Sequence, residues 1–234
     1  DGDVYVWGGG AFGELGLGDE VEESPSPRLL PRLSGGQIVV DLACGFYHTA
    51  CVTDDGQVWT WGWGRDGQLG HSEASATPRR VLGPLQHAAC RSVACGHHAT
   101  CALTRDGDAF IWGALTGGDR GGSGAELASP TFELPDSSVA GSAIERVALP
   151  PQACIAIAVG GKHALATLTD GRLCTWGSGQ HGQLGLGDPH ERAHPEHVAT
   201  LAHVTAASCG ESHSAALAIS SLPSAASSDP RGGM

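Results

Sequence analysis

The sequence is almost without lysine and has no long apolar segment. Its 234 residues include 13 Lys and Arg, among which Lys162 is the single lysine, against 25 Asp and Glu, so the formal net charge is −12. Nucleic-acid backbones and anionic lipid surfaces are bound by clustered Lys and Arg, and no such cluster is present. No apolar run reaches the roughly 18 residues of a membrane helix. We therefore expect neither a direct nucleic-acid partner nor a membrane partner.

Signatures of catalysis and of cofactor binding are also missing. There is no Gly-x-Ser-x-Gly nucleophile elbow, and the glycine-rich segment 117–124 lacks the Gly-Lys-Ser/Thr ending of a phosphate-binding loop. The eight cysteines form no Cys-x-x-Cys pair of the kind found in zinc and redox sites. Thiols that behave as small buried hydrophobes favour a reducing compartment. We expect a non-catalytic protein without a cofactor, located in the cytoplasm or nucleus.

Glycine, in contrast, is abundant, and it marks a repeat. The 36 glycines are about twice the usual share of roughly 7%. Many of them belong to a block that begins with Asp-Gly and ends with Trp-Gly, at residues 1–8, 55–62, 106–113 and 170–177. The four copies end on tryptophans Trp7, Trp61, Trp112 and Trp176. Such self-similarity at a period near 50 residues indicates a repeat architecture.

Two further blocks recur with about the same period as the first and in the same order. A block that begins with Cys-Gly or Gly-Gly recurs four times, with the histidines His48, His98, His163 and His213. A Gly-x-Leu-Gly block follows the tryptophan three times, at residues 13–16, 67–70 and 182–185. The chain is thus predicted to hold four units, at about 1–54, 55–105, 106–169 and 170–219. Residues 220–234 leave the pattern and are predicted to be a flexible tail or linker.

Each unit is predicted to consist of short β-strands. His48–Thr53 and Gln57–Trp61 are rich in β-branched and aromatic residues, and an Asp-Gly turn joins them. Such a hairpin turn is expected to have positive φ at both central positions. Residues 37–42 supply another strand, and no segment has a long amphipathic helical period. We predict an all-β fold of propeller blades, each with four antiparallel strands.

The three blocks together resemble the regulator of chromosome condensation repeat family. The resemblance covers residues 1 to about 219 and implies a seven-bladed β-propeller. Seven blades at this period would need about 350 residues or more, and only about four units are present. We therefore expect a partial or open propeller that forms part of a larger chain or complex.

The repeated histidines and tryptophans are interpreted as structural. Blades set side by side would spread one histidine per blade around a ring, so the four histidines would not meet at one metal ion. The best local metal candidate is instead His190, His194 and His197. Because Pro189 and Pro195 would break a helix there, we prefer a solvated loop and expect no metal site.

Three residues are candidates for partner binding. Trp59, Trp61 and Trp63 alternate, which places them on one face of a strand, and Trp63 extends beyond the repeated Trp-Gly as an exposed anchor. Asp119 and Arg120 lie in the glycine-rich insertion of the third unit, and loops on rigid scaffolds commonly carry recognition.

Two functions from different classes remain open. Rigid blades with variable loops suggest a protein–protein interaction scaffold. The family resemblance implies instead guanine-nucleotide exchange on a small GTPase, although no position here can be matched to the residues of the exchange step. A metal-dependent enzyme is a distant third. One photoreceptive member of the family carries Trp-Arg after the glycine of the histidine block, where this chain has Phe46-Tyr47, so photoreception is not expected.

Overall fold

The computed structural model describes residues 2–33, 35–72, 74–115 and 143–219, and these residues are almost entirely β-structure. Within them lie sixteen strands and one 3₁₀ turn at Gly83–His87, and no helix is long and apolar enough to cross a membrane. In chain order the strands are β1 (Tyr5–Gly9), β2 (Glu23–Leu29), β3 (Val39–Cys44), β4 (His48–Thr53), β5 (Val58–Gly62), β6 (Ser75–Arg80), β7 (Cys90–Cys95), β8 (Ala99–Thr104), β9 (Ala109–Gly113), β10 (Glu145–Arg146), β11 (Cys154–Val159), β12 (His163–Leu168), β13 (Leu173–Gly177), β14 (Arg192–His197), β15 (Val204–Cys209) and β16 (Ser214–Ala218).

The strands form antiparallel sheets that are the blades of a partial propeller. Three sheets have four strands each, in the orders β3-β4-β5-β6, β7-β8-β9-β10 and β11-β12-β13-β14. A two-stranded half blade, β1-β2, precedes them and another, β15-β16, follows. The prediction of an all-β fold with four-stranded blades is confirmed. The blades are offset from the sequence repeats, because each takes its first two strands from the end of one repeat and its last two from the start of the next.

The hairpin turns differ in one detail from the sequence expectation. Gly56 has a φ of +84°, whereas Asp55 is not among the residues with positive φ. The Gly56 N–H donates to the Thr53 carbonyl (2.8 Å), and the Thr53 N–H donates to the Gln57 carbonyl (3.0 Å). This is a type I turn followed by a glycine in the left-handed region. The expectation of positive φ at both central positions is therefore wrong.

The apolar core is divided into layers between consecutive sheets. Each second strand of a full blade, β4, β8 and β12, is buried along its whole length. Its side chains alternate between the two faces of the sheet, and both faces are covered by a neighbouring blade. One layer, for example, joins Val6 of β1 and Val4, which precedes the strand, to Trp59 and Trp61 of β5.

The two half blades expose residues that are buried elsewhere. Trp7 is 60% exposed, whereas Trp61 at the same place in the next sheet is fully buried. In the last sheet Leu217 is 65% exposed, and Val52 at the equivalent place is fully buried. In the two half blades, Trp7 and Leu217 therefore lack the neighbouring blade that covers Trp61 and Val52 in the full blade.

Candidate functional site

The repeated tryptophans connect neighbouring blades through hydrogen bonds. Trp61 Nε1 donates to the carbonyl oxygen of Glu14 (2.9 Å), and the Thr49 hydroxyl donates to the same oxygen (2.8 Å). Glu14 belongs to the Gly-x-Leu-Gly block of the preceding blade. Gly16 of that block has a φ of +71°, and a Cβ there would lie 2.8 Å from Trp61 Nε1. The block is glycine-rich because the tryptophan of the next blade packs directly on its backbone.

The second and third blades are joined in the same way, with a histidine added. The Gln68 carbonyl accepts hydrogen bonds from Trp112 Nε1 (2.8 Å) and the Thr100 hydroxyl (2.7 Å). His48 Nε2 lies 2.8 Å from Thr100 Oγ1. Because the single Thr100 hydroxyl proton is directed to Gln68, His48 Nε2 must carry a hydrogen and donate it to Thr100. His163 repeats this arrangement with Ser214 Oγ (2.8 Å).

Burial keeps these two histidines neutral. His48 is 1% exposed and His163 fully buried, and the Nδ1 atom of each is buried without a hydrogen-bond partner. Burial, together with the nearby His98, lowers the pKa of His48 to about 4. Burial also lowers the pKa of His163. These neutral imidazoles lie between neighbouring blades and stabilise their contact. Because both rings are buried, neither is accessible to a substrate.

The strand register moves His98 out of the repeated histidine position. His48 lies opposite Gly62 in its sheet, and Ala99, rather than His98, lies opposite the equivalent Gly113. His98 is therefore the counterpart of the residue before His48. Its Nδ1 lies 3.0 Å from Asp66 Oδ2. The fourth histidine, His213, keeps the repeated position but is exposed in the last half blade.

The three histidines proposed as metal candidates do not form a cluster. His194 and His197 are exposed residues of β14, whose pairing with β13 is irregular between Arg192 and Glu196. His190 precedes the strand and lies 3.1 Å from Asp188 Oδ1 through its Nδ1. No group of three or more potential metal ligands occurs in the described part of the chain.

Aromatic side chains form a continuous row at one rim of the first three blades. The row, here called the aromatic ridge, consists of Phe12, Phe46, Tyr47, Trp63 and His97. All five lie in loops, or directly after a strand, at the rim where β1, β3, β5 and β7 end. The blade repeat places these loops side by side, so the rings meet.

The rings of the ridge are in contact from blade to blade. Phe12 meets Trp63 (5.0 Å between centroids) and Tyr47 (4.5 Å), and Tyr47 meets Phe46 (4.4 Å). Phe46 stacks on His97 of the next blade, 4.8 Å away. Phe46 and Phe12 nevertheless remain 55% and 40% exposed. Ring contacts of this kind fix the side chains in place and leave an apolar surface open to solvent.

Charged groups border the ridge at the end formed by Phe12 and Trp63. The Arg65 guanidinium lies over the Trp63 ring, 4.8 Å from its centroid. A carboxylate oxygen of Glu14 accepts the Phe12 N–H at 2.8 Å. Charged groups beside exposed aromatic rings are typical of protein-binding surfaces.

The partner-binding candidate Trp63 lies in the ridge, where it is half-buried and not exposed as expected. It lies beyond the end of β5, after Gly62 with a φ of +107°, so it does not continue the face shared by Trp59 and Trp61. Asp119 and Arg120 lie outside the described residues. Sequence reasoning missed Phe12 and the ring-to-ring contacts. The available signal was the presence of bulky aromatic residues in glycine-flanked loops, where small polar residues are usual.

The fold and the interlocking blocks define a β-propeller protein, and sequence comparison names its family. The RCC1-like domain matches residues 3–221, so the chain belongs to this family, as the motif resemblance predicted. It is 34% identical over 222 residues to the ultraviolet-B receptor UVR8 of Arabidopsis thaliana, a match that covers 93% of this chain and 47% of that protein.

Solved structures give the same result. Human WBSCR16 superimposes with a TM-score of 0.77 at 26% identity, covering 94% of this chain and 54% of the other. Prp20p of Saccharomyces cerevisiae, studied with its binding to Gsp1p and histones, superimposes with a TM-score of 0.73 at 26% identity, covering 92% and 51%. The chain thus spans about half the length of these relatives.

Proposed function

We propose that this chain is a protein-binding module and that a partner protein docks on the aromatic ridge. The observation that carries the proposal is the row of interlocked rings, in which Phe12 and Phe46 remain exposed. Exposed aromatic side chains held rigidly are typical anchors of protein interfaces, because they bury much area for little loss of side-chain entropy. The buried connections between blades supply the rigid support.

The test removes one exposed ring and one half-buried ring of the ridge, Phe46 and Trp63, neither of which belongs to the buried core. In the variant Phe46→Ala/Trp63→Ala, proteins retained by the wild-type chain from a cell extract should be lost. The matched control is Leu82→Ala, since Leu82 is also exposed (53%) but follows β6 at the opposite rim. A partner set that is the same for all three proteins would contradict docking on the ridge.

Guanine-nucleotide exchange is the second candidate function. It is supported by the similarity to Prp20p, the relative described with Gsp1p. The measurement is release of a fluorescent guanine nucleotide from a panel of small GTPases, with and without this chain. Acceleration for one GTPase would establish exchange, and no acceleration for any of them would remove it.

We also propose that further strands complete the two half blades in a larger chain or complex. The supporting observation is that Trp7 and Leu217 are exposed where their counterparts are buried. Backbone amides of β16 should then exchange with deuterium more slowly in the larger assembly than in this chain alone. Equal exchange rates would contradict the proposal.

The free state of all eight cysteines supports a reducing compartment, the cytoplasm or nucleus.

A further inference from the structure

The Gly-x-Leu-Gly block of the fourth blade, β11–β14, forms a slot that holds a tryptophan in the earlier blades. In those blades one carbonyl of the block accepts two protons, as Gln68 does from Thr100 and Trp112. In the fourth blade the Gln183 carbonyl accepts the Ser214 hydroxyl at 2.8 Å. Among the described residues no indole donates to it, so the slot has its acceptor in place and lacks the tryptophan.

The glycine of this slot is open on the side where the indole would lie. A Cβ on Gly70 of the second blade would lie 3.1 Å from both Trp112 Nε1 and Val81 Cγ1. Gly185 has nearly the same φ, +67° against +70°. Its Cβ would meet a single described side chain, the Val81 counterpart Val198, at 3.7 Å. The fourth blade therefore presents the glycine and the valine of the slot to solvent.

His213, in the last half blade, also lacks the partner that the repeat provides. His163 is hydrogen-bonded through Nε2 to Ser214 of the following blade. His213 is exposed, and no hydrogen bond of its ring is found in the described part of the chain. Its ring nevertheless lies on Gly210 as that of His163 lies on Gly160, since a Cβ on either glycine would meet the imidazole Cε1 within 2.4 Å. The imidazole is already in the conformation that makes the contact.

The first half blade carries the complementary groups. Trp7 is 60% exposed, and within the described ranges its indole has no carbonyl acceptor. Gly8 has a φ of +100°, close to the +107° of Gly62. A Cβ on Gly62 would lie 2.5 Å from the Tyr47 carbonyl of the neighbouring strand, whereas nothing lies within 4 Å of that on Gly8. Thr49, the counterpart of the threonine that His48 contacts, has no histidine partner among the described residues.

We propose that a second copy of this chain completes each half blade, with β1 of one copy pairing with β16 of the other. The inference rests on the proposed completion of the half blades and names the partner. In the register of the full blades, where Trp61 lies opposite Thr49, Trp7 lies opposite Ser214 of the other copy. Its indole N–H then donates to the Gln183 carbonyl of that copy. Each end of the chain thus carries what the other end lacks.

The number of blades favours a ring of two copies. Each copy has three full blades and two halves, and β1 and β16 of one copy are not paired with each other. A joined pair of halves makes one blade, so two copies form eight blades and three copies form twelve. Propellers commonly have four to eight blades. Two copies therefore close a ring with one blade more than the seven implied by the family resemblance, and closure ends further association.

The experiment is sedimentation equilibrium over a range of chain concentrations. We expect a monomer–dimer equilibrium that ends at twice the mass of the chain. Trp7→Ala should weaken association at least tenfold, because a buried tryptophan is a typical interface anchor. The control Leu82→Ala removes a comparably exposed side chain at the end of β6 and should associate like the wild type. Equal association of Trp7→Ala and the wild type, or a mass that rises beyond two copies, would overturn the proposal.

A mixing experiment tests the head-to-tail arrangement. The Ala216 N–H lies on the open edge of β16, because it alternates with the position of Thr53, whose N–H donates to the third strand of its blade. Ala216→Pro should therefore block β16 and leave β1 intact, whereas Trp7→Ala impairs β1 and leaves β16 intact. The two variants mixed should associate more tightly than either alone, since one of the two junctions is then whole. No gain on mixing would overturn the pairing of β1 with β16.

Failure of this inference can be told apart from failure of the proposal on which it rests. A chain that stays monomeric at every concentration would overturn the second copy as the partner. Slower deuterium exchange of β16 in a larger assembly would still support completion of the half blades by other strands.

Discussion

Acidification should weaken the contact between the second and third blades through His48. The imidazole is buried, donates through Nε2 to Thr100, and has no acceptor for a second proton at Nδ1. In the folded chain its pKa is about 4, compared with about 6.5 for an exposed histidine. Between these two values the unfolded chain binds a proton that the folded chain does not bind. Above pH 6.5 His48 therefore does not lower the free energy of unfolding, and this free energy falls as the pH drops towards 4.

The size of the effect follows from the two pKa values. Each pKa unit corresponds to about 1.4 kcal/mol, so the full loss attributable to His48 is about 3 kcal/mol at pH 4. At pH 5 the loss is about 2 kcal/mol. The variant His48→Ala removes the titrating group, and the third blade already carries alanine at this position in Ala99.

Urea unfolding followed by tryptophan fluorescence at pH 7.5 and pH 5 measures this difference. His48→Ala should be less stable at pH 7.5, because a buried side chain is lost, but its deficit should shrink by about 2 kcal/mol at pH 5. The control His194→Ala, at an exposed site on β14, should keep the pH dependence of the wild type. A deficit for His48→Ala that is the same at both pH values would refute the reasoning.

Three further predictions concern the blade connections and the thiols. Trp61→Phe removes the indole hydrogen bond to the preceding blade and leaves a gap where the larger indole ring was buried, so it should cost more than the about 1 kcal/mol of the hydrogen bond alone in urea unfolding, whereas Trp7→Phe, at an exposed position, should cost nothing measurable. Gly16→Ala places a Cβ against Trp61 at positive φ and should lower stability by at least about 1–2 kcal/mol, again measured by urea unfolding. Ellman's reagent should modify the exposed Cys44 well before Cys51, whose pKa is raised to about 12 by burial; equal rates would contradict the burial of Cys51.

The exposed surface and the buried connections arise from the same repeat. The carbonyl of Glu14 accepts hydrogen bonds from the next blade, while its side chain accepts the Phe12 N–H at the ridge. The loop that locks two blades together thus also orients the first ring of the proposed docking surface. Phe46 and Trp63 make none of the hydrogen bonds to Glu14, so substituting them leaves this connection between blades in place.

Local patterns predicted the strands well but not their exact partners. His48–Thr53 was predicted as a strand and is β4, because its composition and flanking turn are both local properties. The sequence motif aligns His98 with His48, because both are histidines near a Cys-Gly pair. Backbone pairing instead places Ala99 in that position, since register depends on hydrogen bonds to Gly113 across the sheet.

The sequence alone determined the repeat, the family and the all-β class, because a block such as Asp-Gly-x-Val-x-x-Trp-Gly encodes its own turn, strand and packing residue. Tertiary structure decided what the repeats bring together. Phe12 and Phe46 are 34 positions apart in the chain and join one ridge through Tyr47 only because consecutive blades pack side by side. Within the described residues Arg80 makes no ion pair, whereas Arg146 at the same place in the next blade pairs with Asp108, and this difference is visible only when the two sheets are compared. Contacts between blades depend on the spacing and register of whole sheets, which no single segment of the sequence specifies.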